Sequence, residues 1–455
     1  MPNRSLAFDP AGFDSFSFVN IERTDETGEV VFHYRLNGPA PRDFAERIVF
    51  ALPEDGDADW DSAASVLPLL GAVLGLSYYK AAAPPRYEIA VDGLAEPGVA
   101  FLRDAIHFGL GEFAYRAGLP GLLDVDITVS RPLARVDEPK EIAQDRINRP
   151  LVPLGGGKDS VVSVESMRYV GLDVTQFSVN PNVVMQRVAS ASGLPFVSAR
   201  RILDPALFEA NASGALNGHV PVTAMVSLIA VAQAKLLGLG PVVMSNESSA
   251  AEATMMWDGV PVNHQWSKSL DAEVLLASAI EAQTGERGGY FSLLRPFTEL
   301  RIARKFAQTA GYDTSIVSCN RAFRISGAEP GWCGECAKCQ FVFLAFSPFM
   351  SRERLMGIVG VDMFDNEDLI DGFRSLLGLG NHKPWECVGE EAESTVALSH
   401  AARSDDWREA AVVRALVADS PEIAQGDADI ERALFEDRPA VAVPPLYEEA
   451  RRALE

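Results

Sequence analysis

Two groups of residues in this chain have types and spacing suited to chemistry. The first is Gly155-Gly156-Gly157-Lys158-Asp159-Ser160. Contiguous glycines let the backbone approach an anion closely, and consecutive N–H groups form a nest. A helix opening at the end of the run points its positive end at the same spot. Lys158 adds a mobile cation and Ser160 a hydroxyl, so phosphate is the natural ligand. Two common phosphate loops are excluded by spacing. A Walker A loop needs four residues between its glycines and Ser or Thr directly after Lys, and a dinucleotide loop needs G-x-G-x-x-G. A plain glycine turn between strand and helix is the bland alternative. The second group is Cys319, then 13 residues, then Cys333-Gly-Glu-Cys336-Ala-Lys-Cys339. Four thiolates at this spacing suit tetrahedral zinc in a closed, structural site. An iron–sulfur cluster or a redox pair are the alternatives, and the wide-then-tight spacing favours zinc.

The elements that would position these groups follow from hydrophobic rhythm. A short apolar strand at 151–154 runs into the glycine loop, and a helix is expected over 161–169. Strands at 175–179, 195–199 and 242–244 alternate with helices at 183–192 and 221–237. That alternation implies a parallel sheet covered on both faces. Ligands of such sheets gather at the carboxyl ends of the strands, where the glycine loop lies. A helix at 297–310 and a strand at 315–318 should lead into the cysteines. Before 145, strand-like runs (29–36, 86–91) mix with apolar helical ones (65–79, 99–109), and 131–150 is a polar, proline-bearing connector. Beyond 380 the pattern is amphipathic helix, at 404–417 and 427–435.

Composition narrows the class. The 455 residues carry 63 acidic and 40 basic side chains, a net charge of -23, and are 47% hydrophobic. Such a chain fills two or three globular cores and is not disordered. Its global field repels polyanions, which argues against a nucleic-acid grip. Residues 386–455 hold 17 acidic residues and 7 arginines, a charge best read as a solvated surface. No apolar stretch reaches the ~20 residues that span a bilayer, and residues 1–18 lack a secretory pattern. A cytoplasmic protein without membrane contact is expected; oligomeric state is not legible.

The glycine run resembles the pyrophosphate loop of N-type ATP pyrophosphatases, Ser-Gly-Gly-x-Asp-Ser, with Gly155 in place of the first Ser. The resemblance implies an α/β fold whose parallel sheet is of the N-type ATP pyrophosphatase (adenine nucleotide alpha hydrolase-like) kind. This domain would cover 146–380 with its four-cysteine zinc site, between an N-terminal α+β domain (1–145) and an acidic, mainly helical C-terminal segment (381–455). It implies ATP and Mg²⁺ as cofactors beside structural Zn²⁺, with Gly155, Gly156, Gly157, Lys158, Asp159 and Ser160 binding the nucleotide. Loop and cysteine cluster in this order are also similar to 7-cyano-7-deazaguanine synthases, which are much shorter.

Over its full length the chain resembles the UDP-N-acetylmuramoyl-L-alanyl-L-glutamate epimerases. The resemblance rests on the glycine loop, Gly218-His-Val-Pro-Val-Thr223, Ser245-Asn-Glu247, Asn263-His-Gln-Trp-Ser-Lys268, Cys333–Cys339 and His382-Lys-Pro-Trp-Glu-Cys-Val-Gly389. It implies inversion of the terminal glutamate of a UDP-muramoyl dipeptide through an acyl-adenylate. Asp159 and Lys158 would serve the adenylation. His264 and Cys387 are the first candidates for the epimerising bases, then His219 and Glu247, with His382 near Cys387. Lys268, Arg295 or Arg301 would hold substrate anions. The alternatives are a deazaguanine nitrile synthase, a nucleoside- or tRNA-modifying adenylating enzyme, and a non-catalytic nucleotide- and zinc-binding protein.

Overall fold

The computed structural model describes residues 8–119, 123–134, 138–251, 255–257, 259–323, 331–380, 384, 386 and 388–454. His382 and Cys387 lie outside the described residues. Ten strands form one sheet: β1 (Ser15–Thr24), β2 (Glu29–Asn37), β3 (Arg42–Val49), β4 (Arg86–Ile89), β5 (Asp126–Val129), β6 (Leu151–Pro153), β7 (Thr175–Val179), β8 (Phe196–Ile202), β9 (Val242–Met244) and β10 (Tyr290–Ser292). Their spatial order is β10-β9-β6-β7-β8-β3-β2-β1-β4-β5. The five strands from β10 to β8 are parallel. An antiparallel seam, Arg47 opposite Ile202 and Val49 opposite Arg200, joins β8 to β3. Beyond it lie the antiparallel meander β3-β2-β1 and the parallel β4 and β5. The architecture is α/β, with a mixed and mostly parallel sheet that runs across the boundary expected near residue 145.

Period-two patterning drives the first half. Val30, Phe32, Tyr34 and Leu36 on β2 all point inward and are buried. The apolar run expected as one helix at 65–79 is instead two short helices, Leu67–Leu74 and Leu76–Tyr79, joined at Gly75 and wholly buried. A Cβ on Gly71 would stand 2.2 Å from the Phe18 ring, so glycine is what lets this helix lie directly on the sheet. In the second half the expected helices recur: Lys158–Tyr169, Val183–Ser192 and Val222–Leu236. Asn182 caps the middle one through its side chain, and Gly193 ends it at φ +68°.

Two further expectations change. Residues 315–318 form no strand; the Val317 amide donates to the Gly156 carbonyl at 3.0 Å, so the segment braces the glycine loop instead of extending the sheet. The acidic tail is also more than a solvated appendage. Trp407, Val412, Leu416, Leu434 and Tyr447 are buried in the core that surrounds the glycine-loop helix. Tyr447 donates its hydroxyl to the Ile147 carbonyl at 2.6 Å. Arg451 reaches the carbonyls of Ser292 and Leu293 at 3.1 Å each. Among the described residues, no helix is long and apolar enough to cross a membrane.

Candidate functional site

A cleft of about 370 Å³ opens at the carboxyl ends of the parallel strands. Its floor is the loop after β6: Gly155, Gly157, Asp159 and Ser160 all face it. Gly156 takes φ +84°, a conformation glycine adopts without strain. Gly157 caps the helix that follows, and a Cβ there would lie 2.8 Å from the Ser318 hydroxyl. The loop is therefore closed on one side by 317–318 and open on the other, with the helix beginning at Lys158 pointing its N-terminus into the opening. Thr223 from the helix Val222–Leu236, Ser245 and Asn246 after β9, and Lys268 form the opposite wall.

Beneath the loop lies a charge network. Lys158 is 1% exposed, and its ammonium meets Asp159 and Glu299. Lys338, which reaches the cleft, binds the other oxygen of Glu299 at 3.3 Å. Burial would raise the Glu299 carboxyl, but Lys158 and Lys338 hold it at about 2, a permanent anion. Glu247 and Glu393 have the opposite fate. Burial first, and the charge of Glu299 second, push each up to about 7. Asp159 keeps a third of its side chain open to the cleft.

A second cluster joins three distant segments near the Lys268 wall. His264 Nδ1 is hydrogen-bonded to Glu112 Oε2, and His219 Nδ1 stands 4.0 Å from the same oxygen. The imidazole ring centroids are 4.8 Å apart. Arg116 binds the other Glu112 oxygen at 2.6 Å, one helical turn on. Burial would raise the Glu112 carboxyl, yet His264, His219 and Arg116 hold it below the ordinary carboxylate range. Burial, and the neighbouring charge of His264, push His219 down to about 4.

The four cysteines converge as their spacing suggested. Sulfur pairs stand 4.0 Å (Cys319–Cys336), 3.8 Å (Cys333–Cys339) and 3.5 Å (Cys336–Cys339) apart, and all four are within 4.8 Å of one another. Zn–S bonds of about 2.3 Å put the corners of a sulfur tetrahedron roughly 3.8 Å apart. The donor set fits zinc.

Two family models cover most of the sequence: the MurL N-terminal domain over residues 7–293 and the MurL C-terminal domain over 315–431. The chain belongs to the MurL family. A protein from Micromonospora sp. is 47% identical over 453 residues, 99% of each chain. One from Salinispora tropica is 48% identical over 427 residues, 93% of this chain and 92% of its own. A third, from Xanthomonas oryzae pv. oryzae, is 37% identical over 454 residues, 98% of each. All three are named UDP-N-acetyl-alpha-D-muramoyl-L-alanyl-L-glutamate epimerase.

Within this MurL chain the sequence-predicted residues separate into groups. Gly155, Gly157, Asp159 and Ser160 face the cleft, while the Lys158 ammonium is turned inward to two carboxylates. Glu247 lies beside this network, directly after the cleft residue Asn246. Of the three cations suggested for substrate, only Lys268 lines the cleft. Arg295 is instead 1% exposed, bound to Glu273 and to the carbonyls of Glu247 and Lys268. Arg301 is buried against Phe297 and paired with Asp437 at 2.6 Å. Sequence reasoning misses Glu112, Glu299 and Lys338. Glu299 opens a helix after the N-cap Thr298, the usual place for an acidic residue, so its local pattern is uninformative. Glu112 sits in the six-residue helix Gly111–Arg116, whose positions three and four residues on are the exposed Tyr115 and Arg116, so no apolar face marks it.

Proposed function

We propose that this MurL chain is an ATP- and Mg²⁺-dependent epimerase that inverts the terminal L-Glu of UDP-N-acetylmuramoyl-L-Ala-L-Glu, releasing AMP and pyrophosphate, in peptidoglycan precursor synthesis. The observation that carries this reading is the glycine loop and Asp159 at the floor of an open cleft, where parallel strands end and a helix begins. That arrangement suits the α/β fold of N-type ATP pyrophosphatases. Relatives across nearly the full chain bear the name of the epimerase acting on that substrate, which favours it over a deazaguanine or tRNA-modifying activity.

The chemistry has a clear order. A free carboxylate makes its α-hydrogen barely acidic, because the carbanion would carry a second adjacent negative charge. Attack of that carboxylate on the α-phosphorus of ATP forms an acyl-adenylate and expels pyrophosphate. The charge on the carboxyl is gone, so removing the α-proton leaves an anion delocalised into the acyl group. Proton delivery to the other face inverts the centre, and water then cleaves the mixed anhydride to AMP and D-Glu. Loop N–H groups and Lys338 would receive phosphate oxygens, and Lys268 an anionic group of the dipeptide. Asp159 is the residue to hold Mg²⁺, which when bound neutralises the departing pyrophosphate. Glu299 is committed to two lysines, which keeps the loop rigid. The proton-transfer candidates are His264, His219, Glu247 and Cys387. The four-thiolate site would hold zinc as a staple outside the chemistry. Reduced thiols, ATP and a UDP-linked substrate all suit a cytoplasmic enzyme.

The test is incubation of the chain with ATP, Mg²⁺ and the UDP-muramoyl-L-Ala-L-Glu substrate, followed by AMP release and the chirality of glutamate after acid hydrolysis. AMP that depends on this substrate, together with D-Glu, is expected. Absence of both would sink the reading.

A further inference from the structure

Inversion at a tetrahedral carbon requires a proton to leave one face and another to arrive on the opposite face. Two bases that flank such a carbon each approach within about 3–3.5 Å, so their reacting atoms stand roughly 6–7 Å apart with the carbon between them. His219 and His264 do not meet this requirement. Their ring centroids are only 4.8 Å apart, which is ring-to-ring contact, and nothing fits between them. Both Nδ1 atoms instead turn to the same oxygen, Glu112 Oε2.

None of Glu112, His219 and His264 lines the cleft, but the segments that carry the imidazoles lead directly into its wall. His219 precedes the helix whose Val222, Thr223 and Val226 line it, and His264 precedes Lys268, which also lines it. Both side chains keep some exposure, 27% and 21%, whereas Glu112 keeps 8%. The carboxylate is thus the buried anchor and the imidazoles are the reachable end.

We infer that Glu112, His264 and His219 form one proton-handling unit at the Lys268 side of the cleft that serves a single face of the substrate's α-carbon, with Glu112 as the positioning residue, so that the group for the opposite face is a different one. The inference rests on the epimerase reading and deepens it. The charged groups around the pair are Glu112, Lys268 and Lys80, with Arg116 on the far side of Glu112. Two imidazolium charges in contact oppose each other, and His219 is already pressed down to about 4 by burial and by His264. With both rings in contact on one carboxylate, the unit carries one proton at a time, and it takes up or gives out one proton per turnover. In one direction the α-proton passes to the unit as the C–H bond breaks. In the other, the unit's proton forms the new C–H bond.

The experiment uses the full chain with ATP, Mg²⁺ and the UDP-muramoyl dipeptide in D2O. It compares wild type with His219→Asn, His264→Asn, the double variant and Glu112→Gln. AMP, D-Glu and deuterium at Cα of recovered L- and D-glutamate are measured. AMP release should stay within about threefold of wild type, because neither adenylation nor the attack of water on the un-inverted adenylate, which returns L-Glu and AMP, uses the unit. D-Glu per AMP should fall about 10²-fold or more in each histidine variant, and by at least about tenfold in Glu112→Gln. The two single variants should share one deuterium pattern, and the double variant should be hardly worse than the weaker single, as expected for groups acting as one. Opposite patterns, with one variant washing deuterium into L-Glu and the other not, would assign the imidazoles to opposite faces and overturn the inference. So would unchanged D-Glu per AMP, a parallel fall of AMP and D-Glu, or a bound metal beyond zinc that His264→Asn removes. Wild-type protein that makes neither product would defeat the epimerase reading itself, a separable result.

Discussion

At Asp159 one oxygen meets the buried Lys158 ammonium while a third of the side chain stays open to the cleft. Glu299, 5% exposed, meets both Lys158 and Lys338. The two carboxylates share a lysine, yet their removal should have opposite consequences. In Asp159→Ala, Lys158 keeps Glu299, so the fold survives, while AMP release falls by at least about 10²-fold as a charge-stabilising group is lost. In Glu299→Ala, Lys158 keeps only Asp159, a partner one-third open to the cleft. Breaking a buried pair costs about 3–5 kcal/mol. For 455 residues, this is a fall of about 3–5 °C in Tm. Paired AMP assays and melts decide the point: an Asp159→Ala protein with full turnover would remove the loop from the chemistry. The contrast also marks what was legible. Asp159 stood in a contiguous run whose composition announced it. Glu299 lies 141 positions from Lys158, and Glu112 lies 152 from His264. Those pairings exist only after folding, and no local pattern carries them.

At the scale of elements, the alternation of strand and helix between 151 and 244 was legible because buried parallel strands read as short apolar runs bounded by glycine, proline and asparagine. Residues 315–318 read the same way and are not a strand. Val317 spends its amide on Gly156, a partner that periodicity does not see. This segment does two things: it braces the glycine loop and begins the run to Cys319. The helix Ala337–Phe346 starts directly after Cys336, contains Cys339, and carries Lys338 to the cleft and to Glu299. The cysteine cluster thus holds both the brace and the lysine. Cys336→Ser should lower zinc content from about one equivalent to near zero and reduce AMP release, because Lys338 and the 315–318 brace lose their anchor. Metal analysis and the AMP assay check both. Unchanged zinc would refute the four-thiolate site, and lost zinc with normal AMP release would separate the cluster from the cleft.

For the whole molecule, the seam between β8 and β3 decides whether the first 145 residues behave as a separate body. Glu46 on β3 is fully buried and pairs with Arg201 on β8 at 2.6 Å, and the same guanidinium reaches the Ser77 hydroxyl at 2.8 Å. Gln233, in the helix Val222–Leu236, binds both the amide and the carbonyl of Ala51 at 2.9 and 2.8 Å. One sheet and two buried polar clamps couple the halves, and the C-terminal segment closes on the other side through Tyr447 and Arg451. Cooperative unfolding is the consequence. Glu46→Ala strands the Arg201 charge with a lone hydroxyl, at a cost of about 3–5 kcal/mol. Spread over an unfolding entropy of about 2.1 cal/mol/K per residue, that lowers Tm by about 3–5 °C, and calorimetry should show the single transition moving as a whole. If the transition splits, with one part shifted and the other fixed, the halves melt independently and the seam is only a contact between separate domains. A single shifted transition ties Glu112, which the first half supplies to the histidine cluster near Lys268, to the rigidity of the glycine loop on the other side of the cleft.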